Sequence, residues 1–242
     1  MRRLTAVLPA LALALAILPL RPLAAQEEQA VFDVSFAGIR GGTLSIGGAE
    51  RDGQYTAAAV AESSGLVGGI YRLRAEARSS GRVSGNRYTP AAYDEATRER
   101  GESKTKQIRF PGGIATVTQD PPDTKRKDWH AEGKDHPGVV DPMTGLFALL
   151  RSRPAGLACD LDISTYDGRE VHRIKLSGGR QEGDRFVCPA QYIRVDGYKP
   201  KDLADTSFRN FEVTYDTSRG DLWPVVEVRA RTSYGSMVFS RR

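Results

Sequence analysis

The chain has 242 residues, of which 40% are hydrophobic, 27% charged and 8% aromatic. That balance excludes a disordered or collagen-like chain, and two cysteines are too few for a disulfide-rich scaffold. The 35 basic against 30 acidic side chains leave +5, a hint of a polyanion-binding surface.

The first segment removes part of that charge. Arg2 and Arg3 form a positive start, residues 4–20 are apolar apart from Thr5, Pro9 and Pro19, and Pro22-Leu23-Ala24-Ala25 leads into Gln26-Glu27-Glu28. Residues 1–25 read as a secretory signal peptide cleaved after Ala25. The alternative, an uncleaved anchor, meets a run slightly short for a span and broken by two prolines. Residues 26–242 then form a mature chain of 217 residues. Without Arg2, Arg3 and Arg21 the basic count is 32 against 30 acidic, a net of +2, and no later run is apolar enough to span a membrane.

The mature sequence reads as many short strands. Residues 31–36 alternate, with Phe32, Val34 and Phe36 on one face. Further strands are expected at 43–46, 54–62 (after the turn Asp52-Gly53), 70–77, 82–84 and 88–97. The runs 103–110 and 114–118 flank Pro111-Gly112-Gly113. Period-two alternation places one face on a core and the other in water. In the C-terminal part, 160–166 and 169–176 flank Asp167-Gly168, a type I′ hairpin signal in which both central residues need positive φ. Strands at 185–195, 207–215, 225–231 and 234–239 follow. Turns recur at roughly 10-residue intervals, the spacing of barrels and sandwiches. The expected fold is mainly β, one antiparallel sheet curled into an open or partial barrel.

Residues 141–151 read as a helix packed against that sheet. Asp141 is an N-cap residue, Pro142 occupies the first helical position, and Pro154 forbids continuation. Met143, Leu146, Phe147 and Leu150 recur at helical spacing. A lone amphipathic helix in a β chain is expected to cap or plug the curved sheet; docking a partner is the other reading. The prolines and charges of 119–139 mark a long polar loop, of the kind that is often functional or disordered.

Residues able to carry chemistry are scattered. Cys159 and Cys188 in an exported chain read by default as a disulfide. On a simple meander they fall on strands one and three, about 9–10 Å apart, beyond the roughly 7 Å a bridge tolerates. A bridge therefore requires Cys159 at a bent strand entry or a sheet order that is not a meander; two inert thiols or a redox pair are the alternatives. His130 and His136, with Asp128 and Asp135, lie in the polar loop without the tight spacing of a zinc site, and His172 lies in a strand. Ser63-Ser64-Gly65 and Ser79-Ser80-Gly81 read as turns lacking the Gly-x-Ser-x-Gly frame. Asp160 and Asp162 share a strand face, more in the manner of a solvated edge than of an acid–base pair. Lys125-Arg126-Lys127 beside Trp129 has the chemistry to grip phosphate and stack a ring, diluted by Asp120, Asp123 and Asp128. Trp223 before Pro224 reads as a packed strand start.

The segment Phe32-Asp33-Val34-Ser35-Phe36-Ala37-Gly38-Ile39-Arg40-Gly41-Gly42-Thr43-Leu44 resembles the opening of the domain-of-unknown-function 3108 family of exported bacterial proteins. Ser63-Ser64-Gly65-Leu66, Ser80-Gly81, residues 90–93, the helix 141–151, Tyr166-Asp167-Gly168-Arg169 and residues 188–198 extend the resemblance over most of the mature chain. The resemblance implies a periplasmic or envelope protein of a Gram-negative bacterium with an open barrel, and supplies no catalytic residues. The expected function is that of a non-enzymatic envelope binding or scaffold protein, needing no cofactor or metal. Its expected partner is a lipid, glycan or protein, not nucleic acid. A hydrolase of envelope polymers is the alternative.

Overall fold

A computed structural model describes residues 26–204, 210–232 and 234–242; the proposed leader, residues 1–25, lies outside the described residues. The strands are β1 Gln26–Phe36, β2 Ile39–Arg51, β3 Gln54–Ser63, β4 Leu73–Ser84, β5 Arg87–Glu99, β6 Glu102–Arg109, β7 Thr116–Asp120, β8 Arg153–Pro154, β9 Asp162–Tyr166, β10 Val171–Leu176, β11 Arg180–Glu182, β12 Arg185–Asp196, β13 Asn210–Asp216, β14 Leu222–Trp223, β15 Val225–Thr232 and β16 Gly235–Arg241. The helices are α1 Gly65–Ile70, α2 Pro142–Leu150 and α3 Pro200–Ala204.

Fourteen strands form one antiparallel sheet in the order β7-β6-β5-β4-β3-β2-β1-β16-β15-β13-β12-β10-β9, with β11 on β12; β8 and β14 pair separately. The first seven strands are a plain meander, and the first and last strands meet in the middle, where β1 pairs with β16 from Phe32 opposite Arg241 to Phe36 opposite Met237. The outermost strands β7 and β9 do not pair with each other, so the barrel is open along one seam.

Residues 131–141 strap that seam. Ala131 N donates to the Arg169 carbonyl at 2.8 Å, Val140 N to Ser164 at 2.9 Å, and Val140 accepts from Tyr166 N at 2.8 Å. On the β7 side Gly133 lies so close that a Cβ would stand 2.2 Å from the Ala115 carbonyl oxygen. The polar loop of the sequence is thus an ordered strap that satisfies the exposed backbone of an edge strand.

Register fixes what faces inward. Phe32, Leu44, Ala61 and Ala75 stand opposite one another on β1 to β4, and Phe36, Met237, Ala230, Phe211 and Ala190 on β1, β16, β15, β13 and β12. α2 lies inside this curve. Met143, Thr144, Gly145, Phe147, Ala148, Leu149 and Leu150 are all buried, so the helix is enclosed nearly all round rather than half wet as its amphipathic reading implied. Gly48 and Gly145 permit the approach: a Cβ on Gly48 would sit 2.6 Å from the Phe147 ring, and one on Gly145 2.4 Å from Thr165 Cγ2.

Three local expectations differ. Residues 65–70 form α1, and the strand expected from residue 70 starts at Leu73. Residues 73–84 are one strand with a bulge at Ser80/Gly81, so Ser79-Ser80-Gly81 is not a turn. At Asp167-Gly168 Gly168 alone has positive φ; the Asp167 carboxylate instead accepts from the amides of Arg169 and Glu170, closing a wider loop.

Cys159 and Cys188 are bonded, with Cα atoms 5.4 Å apart. Cys159 precedes β9, outside the ladder, and β10 ends at Leu176 opposite Ala190. Cys188 lies past that end, so no strand intervenes. The bridge takes the bent-entry route that the spacing left open.

Candidate functional site

The interior has two halves. The half away from the β1–β2 turn is filled by α2 and floored by a buried hydroxyl–carboxylate network. Asp141 caps α2 through the Thr144 amide at 2.9 Å and accepts from Thr144 Oγ1 at 2.6 Å and Ser79 Oγ at 2.8 Å. Tyr55 Oη meets Thr144 Oγ1 at 2.6 Å. Burial pushes the Asp141 carboxyl up, against hydrogen bonds that pull it down. The same burial, reinforced by the Asp141 charge, pushes the Tyr55 hydroxyl to about 12. Tyr55 and Phe147 both stand edge-on to Tyr88, with ring centroids 5.0 and 6.4 Å away.

The end of α2 is held by charge. Arg153 is fully buried and donates to the Ala148 carbonyl at 2.5 Å, to Asn86 Oδ1 at 3.1 Å and to the Asp160 carbonyl at 3.2 Å. A guanidinium on the last-turn carbonyls meets the negative end of the helix dipole. Glu28, buried on β1, accepts from Ser152 N at 2.8 Å and from Arg241 of β16 at 3.0 Å. It ties β1 and β16 to the segment that follows α2.

The other half is different. α2 contacts Gly48, Tyr55, Ser79 and Tyr88, and nearer the β1–β2 turn the inward-facing side chains are only half-buried. Val34, Phe211 and Phe239 pack against the core with part of their surface free, Met237 and Ala230 are half-buried, and Phe36 at the lip is exposed. The facing wall, built by β3 and β4, is made of small residues, Ala61, Ala75 and Ala77. This half-buried apolar face beyond α2 is termed the cup.

Polar groups cluster on the inward face of β9, β10 and β12. Inward-facing His172 meets Thr165 Oγ1 through Nε2 at 2.6 Å, and its ring lies 4.6 Å from that of Tyr192. Burial lowers the His172 pKa. Tyr192 Oη contacts Tyr198 Oη at 3.1 Å, and Arg194 donates to the Asp202 carbonyl. Glu95 accepts from Tyr93 and Thr97 at 2.5 and 2.9 Å on the opposite wall.

A second concavity of about 1430 Å³ lies on the outward face, across β1 to β3 and β11 to β16. Its arginines are largely matched: Arg180 with Glu182 and Glu212 at 2.6 and 3.0 Å, Arg229 with Glu227 at 2.8 Å, and Arg185 and Arg219 with Asp216 at 3.8 and 3.6 Å. Seven arginines against four acidic residues line it, so these pairings leave a modest positive balance.

The histidines are not brought together. The His130 ring accepts from Lys127 N, His136 meets Asp196 at 2.7 Å, and His172 lines the cup. Among the described residues no three His, Cys, Asp or Glu side chains gather to hold a metal. Asp162 binds Arg173, while Asp160 accepts from Asn86 at 3.0 Å; they do not act as a pair. Ser63 Oγ accepts from Leu73 N at 2.9 Å, and no histidine is among the hydrogen-bond partners of Ser63 or Ser79. Arg126 spends its guanidinium on the Gly168 and Ala131 carbonyls and Glu132, fastening the strap, and Lys199 lies 5.6 Å over the Trp129 ring. Trp223 packs on Phe186 at 5.3 Å and ends the short strand β14 rather than starting a strand. The cup went unseen in the sequence because its members share a face only once register is known.

No curated protein matches the chain. Among solved structures, a crystal structure of a beta-barrel-like protein of domain of unknown function DUF1849 from Brucella abortus is similar, with a TM-score of 0.51 at 11% identity, covering 92% of this chain and 97% of that one. That likeness supports the open-barrel architecture and carries no activity. The family model for the proteins of unknown function DUF3108 matches residues 31–236, and the chain belongs to that family.

Proposed function

We propose that this chain is an exported, non-enzymatic binding protein of the bacterial envelope that holds an apolar or amphipathic small molecule, of the acyl-lipid kind, in the cup. The observation that carries the reading is the half-exposed apolar inward face of Val34, Phe36, Phe211, Met237 and Phe239 beyond the base formed by α2. Such a face gains by covering: each buried CH₂ of a ligand is worth about 0.8 kcal/mol. Small Ala61, Ala75 and Ala77 leave the width for a chain, and the His172–Tyr192–Tyr198 sector offers hydrogen bonds to a head group. The apparent leader and the Cys159–Cys188 bridge support an oxidising compartment, the periplasm.

The test is to purify the protein from its own envelope under native conditions and identify co-purifying molecules by mass spectrometry after organic extraction. The account expects an apolar molecule that is absent from an Ala61→Trp variant. Identical extracts from both proteins contradict it.

A further inference from the structure

Three turns meet at the mouth of the cup and carry the most exposed apolar side chains among the described residues. Ile39 follows the β1–β2 turn and is 57% exposed, Ile70 ends α1 and is 88% exposed, Tyr234 lies in the β15–β16 turn at 85%, and Phe36 at the lip is 42% exposed. They form one neighbourhood. Gly235 packs on Ala37, the Ala37 amide donates to Ser236 O at 2.9 Å, and α1 lies over the start of β2, where Ser64 N donates to Gly41 O at 3.0 Å.

Positive charge surrounds them. Arg72, Arg98 and Arg231 form no ion pair among the described residues, and Arg100 lies 4.9 Å over the Tyr71 ring. The acids of this rim are engaged: Asp33 with Arg40 and Arg242, Glu99 with Tyr71, and Glu62 with Arg74.

We propose that this rim docks the mouth of the barrel onto a lipid bilayer bearing anionic head groups. The side chains stand singly on separate turn tips, which suits shallow insertion into a deformable interface better than a matched protein groove. A tyrosine beside isoleucines has one apolar and one wet end, as side chains at the head-group level do. Unpaired arginines behind the tips are drawn to an anionic surface. The inference rests on the rim alone and goes beyond the cup; together they place a lipid-binding mouth against a lipid source.

The mature protein is to be floated with vesicles of phosphatidylglycerol and phosphatidylethanolamine at low salt. It is expected to rise with them and to release as salt increases. Ile39→Ser/Ile70→Ser/Tyr234→Ser is expected to weaken partitioning by about tenfold or more, and Arg72→Glu/Arg231→Glu to weaken it without touching an apolar residue. Leu157→Ser/Leu222→Ser, at the opposite end, is expected to change nothing. All substituted side chains are exposed, and an unchanged thermal unfolding curve confirms that folding is intact. Failure of the wild type to float, equal flotation of the triple variant, or loss of self-association in place of vesicle binding overturns the proposal. Binding of an acyl probe by the triple variant, measured in parallel, reads the cup separately, so either idea is able to fail alone.

Discussion

Asp141 is a buried carboxylate whose partners are hydroxyls and an amide rather than a guanidinium. Removing it with Asp141→Ala deletes the cap of α2 and the charged acceptor shared by the Ser79 and Thr144 hydroxyls, at roughly 2–4 kcal/mol in urea unfolding. Its pH behaviour has a definite sign. Burial raises the folded-state pKa above the ordinary carboxylate value, so the folded chain holds this proton to higher pH than the unfolded chain. The residue favours the fold at low pH and opposes it as pH rises through the raised value. Asp141→Asn keeps a capping oxygen and removes the titration. Urea melts at a series of pH values are expected to show the variant gaining on the wild type between acid and neutrality; a pH-independent difference refutes this. The capping role was legible from Asp141-Pro142 alone because a cap is local. The network's other members were not, because Ser79 lies 62 residues from Asp141 and Tyr55 lies 89 residues from Thr144, and only the curl of the sheet brings them in.

Strands alternate by local side-chain type, so most of them are readable, whereas α1 is six residues of Gly-Leu-Val-Gly-Gly-Ile with no period to detect. The long polar loop reads by composition as functional or disordered, yet its backbone pairs with the edge strand β9. The amides of Ala131, Val140 and Tyr166 are expected to exchange hydrogen as slowly as those of the inner ladder, and fast exchange at all three shows instead that the strap lifts. α2 is the element on which the interior depends. Phe147→Ala, with its side chain between Gly48 and Tyr88, is expected to cost about 3–5 kcal/mol by calorimetry. The bridge between Cys159 and Cys188, 29 residues apart, ties the entry of β9 to β12. Cys159→Ser/Cys188→Ser is expected to lose roughly 3–4 kcal/mol in chemical unfolding, and a loss near zero shows that the open chain is not what the bridge restrains.

The whole molecule is a wide, strapped sheet in which α2 covers one part of the inward face and leaves apolar side chains half-buried toward a lip that carries exposed apolar and basic residues. The sequence carried the fold class and the plug, since alternation, turns and caps are short-range. It did not carry the cup, which exists because residues from β1, β3, β4, β13, β15 and β16 face one another across a curvature no local pattern encodes. The most direct measurement of that claim is a titration of the purified chain with a fluorescent long-chain acyl probe, comparing wild type with Ala61→Trp on the inward face and Ala58→Trp on the outward face of β3. The account predicts saturable binding by the wild type and by Ala58→Trp, abolished by Ala61→Trp. No saturable binding, or equal binding by all three, contradicts it.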